Sequence, residues 1–167
     1  FDLYYPIPSE MNPSALDFYR KNIFRVTRQL HHSAQQTMDA LDVCIFLNGF
    51  PIITVELKNR YTGQTYKNAI KQYQEDRPAS DPLFAPRRCA VHFAVDDDEI
   101  WMCSELKGKD SWFLPFNKGV NGGAGNPWKE SKILTEYLWQ EILQKDSLAD
   151  ILENYAQVVE EPDPATG

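Results

Sequence analysis

Residues 23–31 alternate, with Phe24, Val26 and Leu30 on one side and Arg25, Thr27, Gln29 and His31 on the other. This is the period of a half-buried strand. Two β-branched, aromatic-rich runs follow, Leu41–Leu47 and Phe50–Lys58, about Asn48-Gly49. An Asn-Gly between such runs is the strongest short-range hairpin signal. Thr65–Asp76 reads as an amphipathic helix ended by Arg77-Pro78. Arg88–Val95 and Glu99–Cys103 form a second hairpin across Asp96-Asp97-Asp98, and Ser111–Pro115 a further short strand. Pro6 and Pro8 break the opening segment, after which Asn12-Pro13 predicts an N-cap and a first-turn proline for a short helix through Lys21. Ser33–Asp39, Ala79–Pro86 and the Gly-rich Asn117–Pro127 read as loops. Two helices close the chain, Ile133–Gln144 and Ser147–Val159, with Asp146 as the cap between them. This order predicts an α/β or α+β domain with a mixed sheet flanked by helices.

The first hairpin carries the candidate chemistry. Alternation puts Glu56 and Lys58 on one face and Val55 and Leu57 on the other. Taken alone, Glu56-Leu57-Lys58 is a surface ion pair at a strand end, a common and weak feature. Asp42, opening the neighbouring strand, adds a second carboxylate. Two close carboxylates suit Mg²⁺, which wants hard oxygen ligands and keeps several waters. A lysine beside such an ion can help to activate water and offset charge developing on a phosphate. Asp…Glu-x-Lys is the minimal equipment for metal-assisted phosphodiester hydrolysis.

Whether Asp42 joins Glu56 depends on register. A two-residue Asn48-Gly49 turn sets Asp42 opposite Val55, away from Glu56. A three-residue turn with Gly49 in a left-handed G1 bulge sets Asp42 opposite Thr54, on the face of Glu56 and Lys58. The odd-numbered set (Val43, Ile45, Leu47, Ile53, Val55, Leu57) is wholly apolar and the even-numbered set is mixed. That division favours the bulged turn.

Charge at first argues against a DNA partner, since the 167 residues carry a net −7. Residues 129–167 hold three Lys against nine acids, leaving only −1 for residues 1–128. The body is therefore able to face phosphate. At 43% hydrophobic and 13% aromatic the chain has ample material for a core. Cys44, Cys89 and Cys103 form no CxxC pair and read as reduced, buried thiols. No apolar run approaches the ~20 residues of a membrane span, and no signal peptide opens the chain; a cytoplasmic protein is expected. Phe1 in place of Met suggests a piece of a longer polypeptide. His31-His32 reads as a strand end and His92 as a hydrogen-bonded core residue. Asp96–Glu99 lacks the spacing of a calcium loop and reads as a solvated turn. Gly119–Gly125 lacks the Gly-Lys-Ser/Thr of a P-loop, so no ATP site is visible.

The string Leu41-Asp42-Val43 … Leu47-Asn48-Gly49-Phe50-Pro51-Ile52 … Val55-Glu56-Leu57-Lys58-Asn59 resembles the nuclease signature of the R (HsdR) subunit of type I restriction enzymes. These belong to the PD-(D/E)xK nucleases. Asn22–Leu30, Asn68–Tyr73, Pro82-Leu83-Phe84, Val91–Asp96, Phe113–Asn117 and Gly123–Pro127 extend the likeness over nearly the whole chain. The resemblance implies a restriction-endonuclease-like mixed sheet over residues 1–159. Residues 160–167 become a linker toward helicase-like motor domains that use ATP elsewhere in the polypeptide. It implies Asp42, Glu56 and the Leu57 carbonyl as ligands of Mg²⁺ or Mn²⁺, Lys58 as the catalytic lysine, and Arg60, Lys71 and Gln72 as DNA contacts. Many members carry Gln-x-x-x-Tyr on the helix after the lysine; here Asp76 stands four residues beyond Gln72, and Tyr66 and Tyr73 are out of register. Some nucleases of the superfamily add an earlier Glu, and Glu10 is the only Glu before Asp42. Double-stranded DNA and the methyltransferase and specificity subunits are the implied partners, the specificity subunit choosing the DNA site. The alternatives are another PD-(D/E)xK repair or recombination nuclease, and a non-catalytic DNA- or subunit-binding module of the same fold.

Overall fold

The computed structural model describes residues 4–9, 12, 14–33 and 39–156. Glu10, Pro13, most of the Ser33–Asp39 loop and the 160–167 linker lie outside them. Six strands form one mixed sheet: β1 (Phe24–His31), β2 (Ala40–Leu47), β3 (Phe50–Leu57), β4 (Val91–Val95), β5 (Ile100–Cys103) and β6 (Leu114–Pro115). They lie side by side in sequence order. Only β3 and β4 run parallel. Parallel neighbours need a long crossover, and helix α2 (Tyr66–Asp76) with the loop after it supplies one. Short helix α1 (Ser14–Arg20) precedes the sheet; a five-residue π-helix (Leu138–Ile142) and helix α3 (Lys145–Asn154) follow it.

Alternation along the central strands sorts two cores. Val43, Ile45, Ile53 and Val55 pack with Phe93, Val95, Tyr137, Leu138 and Leu148 on the side of the C-terminal helices. Cys44 and Ala94 pack with Ala69 and Tyr73 of α2 and with Phe84 from the crossover loop. Helices cover both faces of this α+β sheet, so the mixed even-numbered face of the hairpin is buried beneath α2 rather than solvated. All three cysteines are free and buried, as expected.

The turn at Asn48-Gly49 differs from the expectation. Leu47 pairs directly with Phe50, a two-residue turn with both central residues at positive φ (51° and 90°), as a type I′ turn requires. The bulge lies further along, between Phe46↔Pro51 and Ile45↔Ile53, leaving Ile52 as the extra residue. Pro51 has no N–H to give the ladder, and the irregularity follows it. Continued from Val43↔Val55, the register brings Asp42 level with Glu56 rather than Thr54.

The C-terminal region also departs from its pattern. No helix spans 133–144; Leu134 N–H donates to Asp97 O and Thr135 Oγ1 to Asp96 O at 2.7 Å. These tertiary bonds hold the segment on the β4–β5 turn, and only the π-turn closes after it. Asp146 lies inside the first turn of α3, where it accepts from Tyr19 Oη. On β1, the edge strand of the sheet, Val26 is exposed, whereas Phe24 and Leu30 are half-buried.

Candidate active site

The site forms where β2 and β3 part. Leu57 N–H, at the end of β3, donates to the Asp42 carboxylate (Oδ2, 2.8 Å). Lys58 N–H still follows β4, donating to Val95 O at 2.8 Å. The end of β3 therefore leaves β2 while staying with β4, and the Asp42 side chain fills the gap. Its other oxygen, Oδ1, accepts from Gln29 Nε2 at 2.9 Å.

Glu56 is fully buried beneath α2. Arg77, the residue that caps the C-terminus of α2, is buried with it and donates from Nε to Glu56 Oε1 at 2.8 Å. The same guanidinium donates from Nη2 to Ala40 O at 2.9 Å and has Asp39 Oδ2 at 3.9 Å. Arg77 thus ties the end of α2 to the start of β2 and the end of β3. Glu56 Oε2 is buried with no hydrogen-bond partner.

Burial pushes the Glu56 carboxyl up to about 7; Arg77 pulls it down and the neighbouring Asp42 pushes it up again. Asp42 acts both as a like charge and as a hydrogen-bond acceptor for the protonated form. The raised affinity for a proton has burial as its first cause and the neighbouring Asp42 as a further one. Two carboxylates face each other, and a single positive species between them satisfies both.

Lys58 extends beneath α2, its Nζ donating to Gln72 Oε1 at 2.6 Å. Gln72 thereby enters the site despite its incomplete helix motif. Asp42 meets Glu56, and Lys58 meets Gln72 at the same strand end, where Lys71 borders their hollow; Arg60 is drawn elsewhere. The Arg60 guanidinium bonds Asp97, Asp98 and the Lys132 carbonyl. Asp96, expected to be solvated, is buried and accepts from Tyr66, Asp98 and Glu99 amides. Lys71 is exposed on α2, 3.7 Å from Glu75. His31 ends β1, and His32 is buried against Asp81, away from the site. His92 bonds Thr54 Oγ1 at 2.7 Å, and burial lowers it to about 4.

Sequence reasoning missed Arg77 and Gln29. Arg77 was legible as a helix terminator, and its partner lies 21 residues away on another element. Gln29 fitted the outward, polar half of an alternating strand.

Among the described residues no group of three or more His, Cys, Asp or Glu side chains is placed to hold a metal. Mg²⁺ commonly needs only one or two carboxylates, with water completing its shell. Asp42 and the orphaned Glu56 Oε2 fit that donor set.

A six-stranded mixed sheet covered by helices, with two carboxylates and a lysine at the ends of adjacent central strands, is an α+β fold consistent with the PD-(D/E)xK nuclease class. The family profile described as type I restriction enzyme R protein N terminus (HSDR_N) matches residues 12–111, and the chain belongs to that family. The match takes in β1 to β5 and α2 and stops before the C-terminal helices. A search of curated proteins finds no match.

Proposed function

We propose that this R-subunit region is a Mg²⁺-dependent DNA endonuclease domain, working in the cytoplasm with methyltransferase and specificity subunits against foreign double-stranded DNA. The observation that carries the reading is Glu56: buried, with one oxygen on Arg77 and the other unpartnered beside Asp42. Asp42, Glu56 and the Leu57 carbonyl would hold Mg²⁺, or Mn²⁺ in its place. Bound there, the ion supplies Lewis-acid activation of water and of the scissile phosphate. Lys58 brings a positive charge, steered by Gln72, to where the phosphate gains negative charge. Gln72 and Lys71 then border the path of the DNA backbone, while Arg60 enters with its charge already offset by Asp97 and Asp98. ATP serves motor domains elsewhere in the polypeptide.

The test is Lys58→Ala in the complete restriction complex. Cleavage should be lost while ATP hydrolysis and translocation persist, and DNA affinity should fall only modestly, since binding rests on many phosphate contacts. Normal cleavage with poor DNA binding would make Lys58 a phosphate clamp and overturn its catalytic assignment. A metal-dependent nicking assay with Asp42→Ala supplies the control.

A further inference from the structure

Gln29 stands in the middle of strand β1 with a φ of +50°, a left-handed conformation that costs a residue with a side chain. Strand β1 pairs β2 from Phe24↔Leu47 to Arg28↔Val43 and again from Leu30↔Leu41 to His31↔Ala40. The pair it omits is Gln29 with Asp42. The break also reverses the alternation. Phe24 packs on the core beneath the C-terminal helices and Leu30 on the core beneath α2, although both are even-numbered. Leu41 and Val43 divide in the same way. A kink thus runs across both strands at this single pair, and it turns Asp42 toward β3.

The fold gives Gln29 little to do for stability. Its side chain is exposed at an open hollow that it lines with Arg28, Asp42, Leu57 and Asn59. Glycine or asparagine would accept the backbone conformation more readily. What glutamine adds is reach: its Nε2 donates to Asp42 Oδ1, while Leu57 N–H holds Oδ2. Together the two donors fix the carboxylate plane and leave each oxygen a further acceptor site.

We propose that Gln29 is a positioning residue that orients the Asp42 carboxylate, its strained backbone being the means by which an amide on the edge strand reaches the site. This rests on the reading of Asp42 as a metal-holding carboxylate. Groups that orient such ligands typically change metal affinity or activity by roughly 10–100-fold when removed.

The test compares Gln29→Gly, Gln29→Ala and Gln29→Glu in the full-length R subunit and its complex. Gln29→Gly relieves the strained φ, which offsets the extra freedom of glycine in the unfolded chain. Its melting temperature without metal should stay at or above that of wild type. Its cleavage rate should nevertheless fall roughly 10–100-fold, with a higher Mg²⁺ concentration for half-maximal cleavage and a smaller Mg²⁺-induced rise in melting temperature without DNA. Gln29→Ala keeps the strain and loses the amide, so cleavage falls while stability stays close to that of wild type. Gln29→Glu fills the same space but cannot donate, and should be defective in cleavage. Wild-type cleavage and Mg²⁺ dependence in Gln29→Gly would overturn the proposal. With Lys58→Ala and Asp42→Ala inactive in the same assay, that result removes the role of Gln29 alone; if those controls also cut normally, the nuclease reading itself falls.

Discussion

Glu56 should make this region less stable as pH rises from acid to neutral, and Glu56→Gln should abolish that dependence. In the unfolded chain the carboxyl titrates near 4.5; in the fold it is pushed up to about 7. Below 4.5 it is protonated in both states and burial costs nothing in charge. Between 4.5 and about 7 the unfolded state has released its proton and the folded state has not, so each pH unit costs about 1.4 kcal/mol. Above about 7 both states are ionised and the loss levels off at about 3 kcal/mol. Wild-type stability alone will hide this. His92, lowered to about 4 from 6.5, gives the opposite slope over nearly the same range, contributing stability above 6.5 that is lost as pH falls through 4. The difference between wild type and Glu56→Gln cancels His92 and isolates Glu56. Urea denaturation in EDTA from pH 4.5 to 8 measures it. The variant should gain on wild type by about 3 kcal/mol across that window, whatever its stability at the acid end. Mg²⁺ should narrow the gap near pH 8 and do nothing near pH 4.5, because only the ionised pair binds it. A difference independent of pH would show that Glu56 is ionised throughout, and that Arg77, not burial or Asp42, governs its charge.

Arg77→Met should cost about 3–5 kcal/mol at pH 8, where it strands a buried carboxylate, and clearly less at pH 5, where Glu56 holds a proton; urea midpoints at the two pH values decide. Asn48→Ala should cost about 1–2 kcal/mol, since Asn48 sits at a φ of 51° and its Oδ1 accepts from Ile23 N–H; thermal melting reads the loss, which Asn48→Gly should partly restore.

The parts of the site that lie close in sequence were legible, and those that arrive from other elements were not. Asn48-Gly49 announced the hairpin, and the apolar odd-numbered set fixed which residues turn toward the C-terminal helices. Asp42 reaches Glu56 through the bulge at Ile52 and the kink at its own position, not through the bulged turn that the pattern favoured. Pro51 held the missing signal, because a proline inside a paired strand marks a first position, an edge or a bulge. Two partners of the site had no comparable signal. Arg77 looks like any cation after a helix until the crossover folds it under β3, and Gln29 looks outward-facing until the kink breaks the alternation. The helix expected over 133–144 failed for a related reason. Its apolar spacing is helical, but bonds to the β4–β5 turn hold the backbone first. Local pattern predicts what a segment favours, whereas contacts far along the chain decide whether the segment is free to take it.

The grouping at the end of β3 also explains why one parallel strand pair belongs in an otherwise antiparallel sheet. An antiparallel ladder continued past Val43↔Val55 would have used up the backbone groups between β2 and β3 and closed the gap. Here β4 runs alongside β3 in the same direction and holds it as far as Lys58, through Leu57↔Val95 and the Lys58 N–H to Val95 O bond. Strand β2 is then free to diverge, and the amide it leaves behind is taken by a carboxylate instead of a carbonyl. The crossover that a parallel pair demands is α2 with its following loop, and this element delivers Gln72 to Lys58 and Arg77 to Glu56. Three side chains that share a strand end would each cost free energy there alone: a buried carboxylate without a cation, a second carboxylate beside it, and a lysine beneath a helix. The crossover supplies a partner for two of them, and the edge strand, through Gln29, supplies one for the third. What stays unsatisfied is a single oxygen, Glu56 Oε2, next to Asp42. A proton shared with Asp42 or a bound cation would each satisfy that oxygen, and the effect of Mg²⁺ on the pH-dependent gap between wild type and Glu56→Gln tells the two apart.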